Sequence, residues 1–323
     1  MSTIPAPHPL TSEPFRIAPQ FVNRVWGWTN LDPWFAQSSP ANPLGEVWLT
    51  GDDCVAETGP WTGQKLSGIF AEHRDPMLGP NARGEGSPLL IKVLFAREKL
   101  SVQVHPDDAM AQKYGFPRGK TECWLALAAD PGAQVACGLK PGVTAEKVRA
   151  AIADGSLEQD LNMIPIEAGE MIFVDSGTVH AIWPGSVILE TQQNSDITYR
   201  MFDYGRGREL HIEKSLEAMR LSTHAGKVEP RVLPDRTLLL DAKYFRIERI
   251  AVEHSTTGAA LRATDEGMAH LSYLFAAAGS GVITGSFDQV SLPACGIAAV
   301  PSQAPDFTVT SLGGLELIRM VAK

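Results

Sequence analysis

Most of the apolar pattern in this chain consists of short strand-like runs bounded by Gly, Pro, Asn or Asp. LLIKVLF at 89–95, LSVQVH at 100–105 and ECWLALA at 122–128 are the clearest of them, and they predict a β-dominated protein. The stretch LNMIPIEAGEMIFVDSGTVHAI at 161–182 repeats the theme: two apolar runs flank Ala168-Gly169-Glu170, and Ser176-Gly177 signals a second turn. Short antiparallel strands in this rhythm predict a barrel or jelly roll. Two segments depart from it. Residues 144–162 read as a helix with Thr144 as N-cap, Glu146 in the first turn and Val148 and Ile152 four apart, interrupted at Gly155. Residues 210–221 place Ile212, Leu216 and Met219 on one face and Glu213, Lys214 and Glu217 on the other, the pattern of an amphipathic helix.

The polar stretch 223–234, with Pro230 and Pro234, reads as a linker between a long first part, 1–222, and a β-rich tail, 235–323. The tail echoes the first part at an offset of 126 residues, which sets Ile166 on Leu292, Val174 on Val300 and His180 on Asp306. The likeness is of pattern rather than identity, and it suggests two repeated barrels of which the second has lost the polar equipment of the first.

Composition agrees with an ordinary globular protein: 323 residues, 44% hydrophobic and 20% charged. Gly 29 and Pro 23 exceed the usual combined share of roughly 12%, which favours turns over long helices. The formal charge of -9 argues against broad binding to nucleic acid or anionic membrane, and by itself does not favour anionic ligands. The N-terminus shows no secretory pattern, and the uncharged stretch 267–287 is broken by polar residues and glycines, so it reads as strands rather than a membrane span. Cys54, Cys123, Cys137 and Cys295 have no C-x-x-C spacing, so a reducing cytoplasm is expected. GSGVITG and GRGREL lack a lysine-bearing phosphate loop, which excludes a nucleotide site of that kind.

Candidate chemistry concentrates in four runs. Strand alternation puts Ser101, Gln103 and His105 on one face and Val102 and Val104 on the other. The same parity joins Lys120, Glu122 and Trp124, while His180 enters a strand just after a turn. Two imidazoles, a carboxylate and an amide oxygen can form the ligand set of a divalent metal, most readily zinc. The same residue types also suit ferrous iron or ordinary buried histidines. Glu190, Asp196 and Arg200 share parity in the run 188–200, although Asn194-Ser195-Asp196 looks like a turn that resets it; a solvated polar face is the alternative. Trp26, Trp48, Trp124 and Trp183 suit either a sugar pocket or the core, and Arg206 and Arg208 read as solvated or structural.

Taken together, the runs Gly45-Glu46-Val47-Trp48, Leu100 to Asp107, Gly119-Lys120-Thr121-Glu122, Gly177-Thr178-Val179-His180-Ala181, Leu189-Glu190, Asn194-Ser195-Asp196 and Thr198-Tyr199-Arg200 resemble the short bacterial form of type I mannose-6-phosphate isomerase, a zinc-dependent cupin enzyme. They occur in that family's order and span about residues 15–215. The resemblance implies Gln103, His105, Glu122 and His180 as Zn2+ ligands and Lys120, Glu190, Asp196 and Arg200 as polar active-site residues. It implies a mainly β protein of two cupin-like jelly-roll barrels: a catalytic one over 1–222 with a helical insertion near 144–162, and a degenerate one over 235–323. Trp26-Gly27-Trp28 and Asp175-Ser176 depart from Trp-Gly-Gly and Pro-Ala of many relatives, and neither touches an implied ligand.

The implied reaction is reversible isomerisation of mannose 6-phosphate and fructose 6-phosphate through a metal-stabilised cis-enediol. Lys120 or Glu190 would be its base, Asp196 would assist ring opening, and Arg200 would stabilise the enediolate. Lys120 could act as a base only if burial or a neighbouring cation lowered its pKa. The other readings are an isomerase of a non-phosphorylated or different aldose, a non-catalytic sugar-binding metallo-cupin, and an iron oxygenase. The partner is then a small sugar phosphate in the cytoplasm, with no nucleic acid and no membrane; oligomeric state has no signal in the sequence.

Overall fold

A computed structural model describes residues 12–36, 42–80, 82, 84, 86–265, 268 and 270–323. The first eleven residues, and with them most of the N-terminal stretch read as lacking a secretory signal, lie outside the described residues, as does Gly267. The chain is mainly β, and its named strand pairings are antiparallel. No helix among the described residues is long and apolar enough to cross a membrane; Ser272–Gly285, within the long uncharged stretch, is a strand.

The chain divides into two compact units, and both are discontinuous: 20–49 with 89–231, and 1–19 with 50–88 and 232–323. Sequence order had put everything up to 222 in the first barrel. Instead, Phe15–Ile17 pairs with Ile297–Val300 in the tail sheet, and the helices Leu66–Glu72 and Arg74–Leu78 fall in that same unit. The stretch 223–234 is also partly structured, since Gly226–Val228 pairs with Met171–Val174.

In the unit containing 89–231, a seven-stranded sheet and a five-stranded sheet enclose a core. Leu94, Trp124, Ala126, Ile172 and Ile188 of the larger sheet pack with Val135, Cys137 and Ile182 of the smaller. Alternation then sends Val102, Val104, Ala136, Ala181, Tyr199 and Met201 to the outer face of the smaller sheet. There they meet Val148, Ala151 and Ile152 of the helix Ala145–Asp154 and Ala218 of the helix Ile212–Ala218. The first helix begins where expected, with the Thr144 side chain accepting from the Lys147 N–H at 3.2 Å. It stops at Gly155, whose φ of 79° is left-handed, rather than continuing to 162. Leu157–Asp160 is a short 3-10 turn, and Leu161–Pro165 is already a strand.

The 126-residue echo corresponds to a repeated sheet. Met171–Val174 lies 126 positions before Ile297–Val300, and both strands occupy the same place in their sheets. One path runs Gly226–Val228, Met171–Val174, Glu122–Ala129, Ser186–Gln193, Leu89–Ala96, Leu44–Trp48. The other runs Phe15–Ile17, Ile297–Val300, Ser272–Gly285, Phe307–Ala322, Phe245–Val252, Thr237–Asp241. Even the registers match: Ile172 faces Trp124, which faces Glu190, which faces Lys92. In the tail, Ala298 faces Leu274, which faces Arg319, which faces Glu248.

The tail thus carries a buried charged pair at the position of Lys92 and Glu190, with the charges exchanged. Glu248 Oε2 lies 3.1 Å from Arg319 and 3.0 Å from Arg236, and Arg319 also reaches Asp265 at 2.6 Å. Removing one member of such a cluster leaves buried charge without compensation, a loss of roughly 3–5 kcal/mol. Arg319→Met is therefore expected to lower unfolding stability by about that much, read from urea denaturation.

A buried histidine-carboxylate centre and the cavity above it

Two rows of inward-facing side chains build the candidate site. On the smaller sheet, Gln103 stands between Arg200 and His180 in direct register. On the larger sheet, Trp48, Lys92, Glu190 and Trp124 form one row, and Glu122 opens the strand that carries Trp124. Since Val102–Val104 is a strand of three residues, His105 lies just past its end.

Local sequence fixes that loop. Asp107 caps the helix Asp108–Lys113 by accepting from the Met110 N–H at 2.9 Å. A Cβ at residue 119 would lie 2.5 Å from the Asp107 carbonyl carbon, so only glycine lets the chain pass close enough for Lys120 N to donate to Pro106 O at 3.1 Å. Gly177, at φ 85°, turns the chain before His180 and donates its N–H to the His105 carbonyl at 2.8 Å. Backbone hydrogen bonds at 105 and 106 thereby tie the three sequence runs together.

His105, Glu122 and His180 are fully buried, and one ligand atom from each lies within 4.8 Å of the others. Both histidines place Nδ1 at 2.8 Å from a backbone carbonyl, of Ile197 for His105 and of Thr178 for His180. Each Nδ1 therefore carries the proton, and each Nε2 presents its lone pair to Glu122, 3.4 Å from Oε2 and Oε1 respectively. Burial pushes the His180 pKa down to about 4. Burial, together with the neighbouring Lys120, holds His105 well below its ordinary value. Both rings are neutral at pH 7, the form that ligates metal.

Neither Glu122 oxygen accepts a hydrogen bond, although both are buried. Lys120 Nζ forms an ion pair with Oε2 at 3.0 Å, and it reaches His105 Nε2 at 3.1 Å. Gln103 Nε2 lies 3.3 Å from His180 Nε2, and since the two ends of the amide are assigned from the network alone, the side chain offers that point either a donor or its oxygen. Two imidazole nitrogens, an orphaned carboxylate and an amide fit a divalent cation of the zinc type.

Above this centre a cavity of about 470 Å3 is lined by Gln103, Lys120, Glu190, Asp196 and Arg200 among others. The turn after Gln193 does reset the strand, so Glu190 and Arg200 reach the cavity from different sheets. Around Lys120, burial, which works against its charge, is outweighed by Glu122 and Glu190, so its pKa lies above the ordinary value. Without a bound cation Lys120 is held as an ammonium, contrary to what a basic role requires. Burial and the Glu122 charge raise the Glu190 pKa.

Three lining residues, Arg24, Glu46 and Lys92, have no role in the sequence reading. Arg24 grips Glu46 with two bonds of 3.0 Å, and Trp48 donates to Glu46 at 2.6 Å. Despite burial, Lys92 and Arg24 draw the Glu46 pKa down to about 2. Lys92 had a visible signal, being the single charge in an otherwise apolar strand. Of the four tryptophans considered, Trp26 lines the cavity, Trp48 and Trp124 lie under its charged groups, and Trp183 packs on Lys99. Arg208 also reaches the rim, with its guanidinium taken by Asp203.

Fold and centre define a cupin-type protein with a candidate metal site. Residues 14–134 match the family model described as phosphomannose isomerase type I, catalytic domain. A Streptococcus mutans protein named mannose-6-phosphate isomerase is 36% identical over 258 residues, covering 76% of this chain and 80% of that protein. The crystal structure of mannose 6-phosphate isomerase from Bacillus subtilis superposes with a TM-score of 0.83 at 29% identity, covering 95% of this chain and 99% of that one. A mannose 6-phosphate isomerase structure bound with zinc and yttrium shares the fold at 17% identity, with a TM-score of 0.75 and coverage of 96% and 100%. The chain belongs to the type I phosphomannose isomerase family.

Because His180 has its pKa depressed in the folded state, it contributes full stability above roughly pH 6.5, and that contribution is lost as pH falls toward about 4. Metal-free protein should therefore unfold at lower urea as pH drops through this window, and the dependence should be shallower in His180→Asn. Equilibrium denaturation at stepped pH checks this.

Proposed function

We propose that the chain interconverts mannose 6-phosphate and fructose 6-phosphate, with Gln103, His105, Glu122 and His180 holding zinc. The observation that carries this is the buried Glu122 carboxylate set between two neutral imidazoles, beside a cavity lined by a mixed set of buried acids and bases. Bound there, a zinc ion would supply Lewis-acid polarisation of substrate oxygens.

The remaining chemistry falls to side chains. Moving hydrogen between C1 and C2 of an open-chain sugar requires a base that takes a proton from one carbon and returns it to the next. Glu190 suits this better than Lys120: it lines the cavity with its carboxylate held by Trp124 and Lys92, and a carboxylate, unlike an ammonium, need not first lose a proton to act as a base. Lys120 and Arg200 then balance negative charge developing on the cis-enediolate. Arg200 is oriented for that by donating to the Glu209 carbonyl at 2.9 Å, while its buried Nε has no partner. Asp196, on the cavity wall, would exchange a proton with the ring oxygen during opening. The local cations also answer the charge of -9: exposed distant charges are screened over about 8–10 Å, whereas these line the cavity itself. All four cysteines are free and buried, in keeping with a reducing cytoplasm.

Zinc-loaded protein is expected to convert mannose 6-phosphate to fructose 6-phosphate in a coupled assay, and mannose itself far more slowly. Equal turnover of the two would defeat the phosphate assignment. His105→Ala and His180→Ala should each lower bound zinc and activity together, measured by metal analysis after dialysis. Arg200→Ala should keep its zinc and lose roughly 100-fold in kcat, as loss of a charge-stabilising donor does elsewhere.

A further inference from the structure

The row Lys92, Glu190, Trp124 crosses three neighbouring strands in register, and the two outer residues address different oxygens of the central carboxylate. Trp124 Nε1 donates to Glu190 Oε1 at 3.1 Å, and Lys92 Nζ stands 3.5 Å from Oε2. The terminal torsion of a glutamate is broad, so a carboxylate without such partners samples many orientations. The indole cannot follow it. Trp124 is 1% exposed, is packed among Leu94, Ala126, Ile172 and Ile188, and sets its ring edge against His180 at 5.5 Å and 64°.

Trp124 does not line the cavity, so its N–H serves Glu190 rather than a substrate. The tail sheet offers an internal comparison. At the same place in its row stands Leu274, without a donor, and the residue facing it is Arg319, which has no carboxylate to orient. At this place in the row an indole donor faces a carboxylate in one sheet, and a leucine faces a guanidinium in the other.

We infer that Trp124 is a positioning residue: its indole N–H holds Glu190 Oε1 and so fixes the orientation of the carboxylate, whose Oε2, beside Lys92, is the oxygen that carries the proton between C1 and C2. This rests on the isomerase reading of the site given above. The test replaces Trp124 with 3-benzothienylalanine, which keeps the ring shape and lacks the N–H. The expected result is a fall of at least tenfold in kcat, with KM for mannose 6-phosphate within twofold and zinc content and Tm unchanged. Wild-type kcat in this variant, or a loss confined to KM, overturns the inference. The contact is also read without turnover. In 15N-labelled protein, Glu190→Gln should shift the Trp124 indole N–H resonance, and an unmoved resonance likewise overturns it. If wild-type protein turns over no mannose 6-phosphate, the isomerase reading fails, while the resonance still reports on the Trp124–Glu190 contact.

Discussion

The interaction on which the unit containing 89–231 depends is the convergence of two neutral imidazoles on the buried carboxylate of Glu122. An ion removed from water costs several kcal/mol unless partners replace its solvation. Here Lys120 supplies charge from 3.0 Å, and the histidines supply lone pairs rather than donors. Such a group could hold a metal ion. The surrounding structure serves to keep it so: carbonyls of Ile197 and Thr178 hold both tautomers, and the close passage at Gly119 brings Lys120 over His105.

A second constraint is the sheet used twice. The same strand path and register recur in the tail, yet the row that holds Lys92 and Glu190 in one unit holds Glu248 and Arg319 in the other. In the tail this pair is closed off by ion pairs to Arg236 and Asp265. In the catalytic unit the pair stays open to a cavity. Identical backbone positions therefore become a structural lock or a site for chemistry, according to whether the acids and bases satisfy one another.

Parity along single strands made much of the site legible. Gln103 faces inward between Val102 and Val104, and Glu122 and Trp124 share a parity within one strand, because alternation is a property of the strand alone; Lys120 lies before that strand and reaches Glu122 from the loop. Lys92 and Glu46 were harder to see, since each is a lone charge within an apolar strand and acquires meaning only from strands distant in sequence. The helix at 144–162 had its start encoded in Thr144 and its end in Gly155, both local effects, and only the end was placed too late.

Residue order alone sets the list of chemical groups, the alternation that points them inward, and the turns that make the chain β. Tertiary structure decided which groups meet. Phe15–Ile17 joins a sheet built from residues beyond 230, and Glu190 and Arg200, ten residues apart, reach one cavity from two sheets. It also set the electrostatics: against burial, Glu122 and Glu190 raise the Lys120 pKa, and burial and Glu122 raise that of Glu190. Those effects act through space over a few ångströms, and spacing along a chain does not record them.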